Sequence, residues 1–194
     1  AVKAKLLIFI LGHFMKTICI FAGASKGRSP IFCNEAFRIG QMIGARNHKI
    51  IYGGGRTGMM GAFADGALAS GASVTGIIPE FLDKHEVAHK DVTELIITNT
   101  MHERKSAMYK DTSDFVLLPG GLGSLDETME VLTWCQLGLL KARVHIFDFD
   151  GYWQPMQAML SHIAEQGFMH STNLEYVIWA KTADALVDNL FEYD

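Results

Sequence analysis

The chain has 194 residues, 49% of them hydrophobic and 20% charged, with a formal charge of -4. That length suits one domain with a full core and would leave two domains cramped. The acidic balance excludes a protein that binds nucleic acid through a basic surface, and the 8 histidines include no HExxH and no pair at metal-ligand spacing, so no metal site is expected.

At the amino terminus, Lys3, Lys5 and the apolar run 6–11 imitate the front of a secretory signal. The run is too short to cross a bilayer, which takes about 20 apolar residues, and Lys16 interrupts any longer one. Residues 1–14 therefore read as an N-terminal extension or expression remnant before a natural start at Met15. Residues 15–194 read as a single nucleotide-binding domain with no membrane attachment. Cys19, Cys33 and Cys135 form an odd, scattered set that fits neither a disulfide framework nor a zinc pattern. Cys19 and Cys135 lie within apolar patterns and read as small buried residues. A reducing, cytoplasmic setting is expected.

The run 17–22 is apolar without alternation, as in a strand covered on both faces. Ser29 and Pro30 then offer a cap and a first helical residue for a helix reaching about Ala45, with Phe32, Ala36, Ile39 and Ile43 on one side. A second strand over 49–52 breaks into Gly53-Gly54-Gly55-Arg56-Thr57-Gly58. A small-residue helix over 59–70 follows, suited to lying close to a sheet. The third strand covers 73–78, and the polar stretch 79–91 reads as a mobile loop with a short helix. Strand four covers 94–98, and a helix runs from Thr100 to Asp111. The apolar run 115–118 is the fifth strand, leading through Pro119-Gly120-Gly121-Leu122-Gly123-Ser124-Leu125-Asp126 to a helix over 127–135. The remaining pattern gives a strand over 143–148, a helix over 153–166, a strand over 175–179 and a last helix from about Thr182.

Strands alternating with helices predict an α/β, Rossmann-like doubly wound fold. Its mainly parallel sheet has about seven strands, with helices on both faces. Ligands in such sheets bind beyond the carboxyl ends of the strands, and glycine-rich turns leave strands one, two and five. Free N–H groups where a glycine turn enters a helix favour an anion such as phosphate. The turn at 53–58 lacks the acidic residue that a dinucleotide site places after the next strand, and no GxxxxGK[ST] is present. A mononucleotide or sugar phosphate fits better than NAD or ATP, and no cofactor is expected.

These motifs are recognisable together. Residues 119–127 resemble the PGGxGTxxE signature of the LOG (Lonely guy) family of cytokinin riboside 5′-monophosphate phosphoribohydrolases. Gly53-Gly54-Gly55-Arg56-Thr57-Gly58-Met59-Met60-Gly61 is similar to that family's GGGxxGLMG, and Met101-His102-Glu103-Arg104-Lys105 to its MHxRK. Ile20-Phe21-Ala22-Gly23-Ala24-Ser25 resembles its first-strand CxFCGSS. Ser124 replaces the usual Thr but keeps the hydroxyl, whereas 82–89 departs from the pattern where the family shapes its base pocket.

The resemblance implies hydrolysis of the N-glycosidic bond of a nucleoside 5′-monophosphate, AMP or an N6-modified AMP, to free base and ribose 5-phosphate. It implies a homodimer whose partner helps to close the site. It assigns Arg104 and Glu127 as the catalytic pair. The implied substrate contacts are Gly53, Gly54, Gly55, Gly58, Glu86, Met101, Lys105, Gly120, Gly121, Leu122, Gly123, Ser124, Leu125, Asp126 and Thr133. Glu127 could stabilise the positive charge that develops on the sugar. Arginine stays protonated and cannot be a general base, which leaves Arg104 to neutralise phosphate, fix Glu127 or donate to the leaving base.

Blander readings stand beside these. Arg104 alone would be a surface arginine, and Glu127 a first-turn acid on its own helix dipole. Glu130 reads equally as a partner of the pair or as a solvated acid. Met129 and Trp134 read as core or dimer contacts, and His85, His89 and His102 as loop or surface residues. Lys105 has no accompanying pattern for a Schiff-base cofactor. The rival function is a non-catalytic nucleotide- or molybdenum-cofactor-binding carrier on the same fold.

Overall fold

The computed structural model describes residues 15–83 and 88–192. The expectations for residues 1–14, His85 and Glu86 lie outside that range.

Seven strands form one sheet: β1 (Thr17–Phe21), β2 (Lys49–Tyr52), β3 (Val74–Pro79), β4 (Glu94–Thr98), β5 (Asp114–Leu117), β6 (Arg143–Phe147) and β7 (Val177–Ala180). All pairings between them are parallel, in the order β4-β3-β2-β1-β5-β6-β7. The helices are α1 (Pro30–Gly44), α2 (Gly58–Ala69), the single turn α3 (Glu80–Asp83), α4 (Met101–Tyr109), α5 (Leu122–Gln136), α6 (Gln154–Glu165) and α7 (Ala183–Phe191). The Rossmann-like α/β expectation holds. Among the described residues no helix is long and apolar enough to cross a membrane.

Side chains alternate across a sheet, and β1 feeds two cores. Ile18 and Ile20 enter one, with Ile39 and Ile43 of α1, Phe63 of α2 and Leu186 of α7. Cys19 and Phe21 enter the other, with Met108 of α4, Val131 of α5 and Leu160 of α6. Covering both faces explains why the strand is apolar throughout. The small residues of α2 bring it against α1 as well as the sheet, because side chains at Gly40 or Gly66 would strike the carbonyls of Phe63 or Phe37.

Capping follows the sequence where it matters. Ser29 Oγ accepts the Ile31 N–H at 3.4 Å, with Pro30 at the first turn of α1. Thr100 Oγ1 accepts the Glu103 N–H at 3.1 Å, and the Glu103 carboxylate accepts the Asn99 N–H at 2.8 Å. These bonds fix where α4 begins. β7 starts two residues later than predicted because residues Ser171–Tyr176 first wind a 3₁₀ helix.

At the amino ends of the strands, Asp114 is buried beside His145 Nε2 (3.1 Å), Ser113 Oγ (2.9 Å), Arg143 (3.4 Å) and Lys16 (3.9 Å). Burial pushes its carboxyl up, but the hydrogen bonds from His145 and Ser113 and the Lys16 charge outweigh that. The net result lies below the ordinary aspartate range.

Candidate active site

The strand order reverses between β1 and β5, and the loops leaving these two strands diverge there to open a crevice. At its base the Gly23 N–H donates to the Pro119 carbonyl at 3.1 Å, tying the two loops together. Above that bond lies a cleft of about 560 Å³. Gly120, Gly121, Gly123 and Ser124 line one side, and the loop from Ala22 to Gly27 lines the other. Met59, Met60, Leu82 and Met101 add an apolar wall, Phe32 and Tyr152 a rim, and Arg104 and Glu127 also line it.

Helix α5 starts at Leu122, five residues before the predicted 127, with Gly121 as an extended cap that has no side chain to occupy the first amides. The N–H groups of Leu122, Gly123 and Ser124 therefore have no intrahelical acceptor, and the helix dipole adds positive character there. Ser124 is buried, and its Oγ sits where a side chain on Gly120 would otherwise be. Three residues on, Glu127 lies on the same face of α5 and reaches the cleft.

The same register places part of the expected contact set away from this cleft. At about 100° per residue, Leu122, Asp126 and Thr133 share a different face from Ser124 and Glu127. Leu122 is 85% exposed and lies outside the cleft lining. Thr133 lines a separate hollow of about 180 Å³ with Met129, Leu132 and Phe168, and Leu125 packs against the core. Within this chain, those residues do not meet the cleft.

Arg104 turns inward from α4. Its Nη1 donates to Glu127 Oε1 at 2.7 Å and its Nε to the Ile77 carbonyl at 3.1 Å. The two residues are only 7% and 6% exposed, so the surface-arginine reading fails. Gly53, at the end of β2, makes room: any side chain there would strike Arg104 Nη2. Burial pushes the Glu127 carboxyl above the ordinary glutamate range, with the Arg104 charge and hydrogen bond opposing. Beneath them Cys19 is a buried thiol pushed up by burial and by the Glu127 charge, which leaves it unreactive.

A second set of ion pairs lies outside the first. Lys105 Nζ sits 3.0 Å from Asp126 and 2.9 Å from Glu130, and the Tyr109 hydroxyl donates to Glu130 at 2.8 Å. Burial pulls the Lys105 ammonium down, but these two carboxylates outweigh it and raise it. Lys105 and Asp126 thus face each other and lie outside the cleft lining, and Glu130 is bonded to Lys105 and Tyr109 rather than to the Arg104–Glu127 pair.

The 53–58 turn backs the cleft instead of lining it. Gly58 takes a φ of +63° and its Cα faces the Ala24 backbone, where no side chain would fit. Thr57 Oγ1 donates to the Ala24 carbonyl at 3.1 Å, and the Met60 N–H donates to the Gly23 carbonyl at 3.1 Å. Gly54 accepts the His89 N–H at 2.9 Å, and Gly55 bridges to Ala88. His89 is consequently not a surface residue: it is 1% exposed, with Nε2 2.9 Å from Asp65. His102 is exposed, as expected. Trp134 is half-buried, edge-on to Tyr109.

Lys26, Phe32, Leu82 and Tyr152 also line the cleft, though no sequence motif marks them. Tyr152 donates its hydroxyl to the Gly120 carbonyl at 2.6 Å and meets the Phe32 ring edge-on at 5.9 Å. It arrives from the turn after β6, so no local pattern near the glycine motifs could point to it. Among the described residues no group of three or more His, Cys, Asp or Glu is placed to hold a metal ion.

A family model described as "Possible lysine decarboxylase" matches residues 60–190. The chain also aligns with cytokinin riboside 5′-monophosphate phosphoribohydrolases. One from Arabidopsis thaliana is 36% identical over 92% of this chain and 83% of its own. A "probable" one from Oryza sativa subsp. japonica is 35% identical over 91% and 79%. The chain belongs to the LOG family. By fold alone this family member also resembles the molybdenum cofactor binding protein of Rippkaea orientalis, with a TM-score of 0.69 and 19% identity over 93% of this chain and 98% of that one. The molybdenum cofactor carrier protein of Chlamydomonas reinhardtii is similar, at 0.68 and 16% over 92% and 98%.

Proposed function

We propose that the protein is a phosphoribohydrolase that cleaves the N-glycosidic bond of a nucleoside 5′-monophosphate, AMP or an N6-modified AMP, giving free base and ribose 5-phosphate. The observation that carries the reading is the buried Arg104–Glu127 pair lining the same cleft as the uncapped start of α5. The amides of Gly123 and Ser124 bind the 5′-phosphate, which orients the ribose towards the carboxylate. As the bond from C1′ to the base breaks, positive charge develops on the sugar, and the ionised Glu127 stabilises it and orients the attacking water. Water adds to C1′, its proton is lost, and the base leaves with the bonding pair and takes up a proton. Arg104, committed to Glu127 and to the Ile77 carbonyl, fixes the carboxylate. The Met59, Met60, Leu82 and Met101 wall suits the flat base and an apolar N6 substituent.

Incubation with AMP and with an N6-prenylated AMP should release base and ribose 5-phosphate, and Glu127→Gln should lower the rate by roughly 10²–10⁴-fold. A carrier would bind nucleotide and release nothing. We further propose a homodimer, supported by the exposed Leu122, Leu137 and Phe168 on and beside α5. Sedimentation that gives a monomer at assay concentrations would refute this. The free thiols Cys19, Cys33 and Cys135 fit a reducing compartment.

A further inference from the structure

The cleft poses a charge problem that its recognised motifs leave unsolved. A 5′-phosphate carries close to two negative charges at neutral pH, and a helix start supplies the equivalent of about half a positive charge. Among the described residues lining the cleft, only Arg104 and Lys26 are cationic. Arg104 is already matched by Glu127 at 2.7 Å, and its Nε is held by the Ile77 carbonyl. Lys26 has neither kind of commitment: among the described residues no hydrogen bond or ion pair engages its ammonium.

Lys26 lines the same cleft as the anchor at the start of α5. Gly23, three residues before Lys26, bonds to Pro119 and packs against the Gly120 backbone, so the two loops run side by side. The Lys26 turn is held by the Ser25 hydroxyl accepting the Gly27 N–H at 3.4 Å. Cys33 of α1 reaches the Lys26 carbonyl at 3.9 Å. Lys26 thus lines the same cleft as Gly121, Gly123 and Ser124, from a loop tied to theirs by the Gly23–Pro119 bond.

We infer that Lys26 is the counter-charge for the substrate's phosphate and the residue by which the cleft distinguishes a nucleoside monophosphate from the unphosphorylated nucleoside. This rests on the nucleotide reading above. Binding is supplied to ground and transition states alike, so Lys26 acts on KM and leaves kcat in place.

The test uses calorimetric affinity for ribose 5-phosphate and for adenosine, alongside steady-state kinetics with AMP, on the full chain. Lys26→Met should weaken ribose 5-phosphate binding about tenfold, as expected for one lost charge-assisted contact. It should raise KM for AMP by a similar factor, leaving adenosine binding and kcat unmoved. Lys26→Arg should restore affinity. Unchanged ribose 5-phosphate affinity in Lys26→Met, or equal weakening of adenosine, would overturn the role of Lys26. Failure of the unmutated protein to bind ribose 5-phosphate would instead overturn the phosphate reading itself. Lys26-dependent binding without base release would leave this inference standing and remove only the hydrolase.

Discussion

Glu127 is asked to carry a negative charge in a place that resists one. Burial raises its pKa, and Arg104 recovers part of that cost. Because the working form is the carboxylate, kcat/KM should rise with pH through a value above the ordinary glutamate figure of about 4.3. Stability runs the opposite way for this group. Its proton is held more tightly in the fold than in the unfolded chain, so its contribution is greatest in acid and is lost as pH climbs through the folded pKa. Arg104→Met should move the acid limb of the rate profile further up and cost about 3–5 kcal/mol in urea unfolding at neutral pH, since a buried carboxylate loses its partner. An unmoved acid limb in that variant would show that the titrating group is not Glu127. Asp114 has the reverse sign. Its folded pKa is depressed, so its stabilisation is complete above the unfolded value and fades as pH falls through the folded one. Asp114→Asn should therefore destabilise at pH 7 by about 2–3 kcal/mol, and the gap from the unmutated protein should shrink as pH falls below about 4.

At the scale of elements, α4 and α5 are joined by two neighbouring ion-pair systems with different duties. The inner pair faces the cleft, while the outer one joins Lys105 and Tyr109 to Asp126 and Glu130. Glu130→Ala should loosen the helix pair and slow turnover less than tenfold, where Glu127→Ala abolishes it. Comparable losses in both variants would mean that the roles assigned to the two acids are wrong. Much of this element level was readable in the residues. The strand runs other than β7, the Ser29 cap and the glycine turns fell where local chemistry placed them. The start of α5 did not, because glycines at 120, 121 and 123 count against helix on propensity, whereas the uncapped turn is completed by tertiary packing. Lys105 and Asp126 were expected at the substrate from the family resemblance. Their positions beside the two motif residues are visible in sequence, but their engagement with each other depends on the register between two helices.

Over the whole molecule, the sequence could show three glycine turns and could not show which of them face the same space. Parallel order and the reversal between β1 and β5 decide that: the first and fifth turns form the walls, and the second supports them from behind. Tyr152 and Lys26 enter the site only through this arrangement. A ligand that touches both walls should stabilise the entire sheet. At a hundredfold excess over Kd, ribose 5-phosphate or AMP should add about 2.7 kcal/mol, a rise in Tm of roughly 5–10 °C for a domain of this size. No shift at saturation would mean that the ligand does not bind the folded chain.

The single hydrogen bond from Gly23 to Pro119 has a practical consequence of its own. It joins residues 96 positions apart, and each lies on a different side of the reversal in strand order. A chain divided between β4 and α4 would put the β1 loop on one fragment and the glycine anchor, Arg104 and Glu127 on the other. Neither fragment would own a cleft. Occupancy by a phosphate ester would then register that the two pieces had come together, making the ligand a probe of assembly as much as of chemistry.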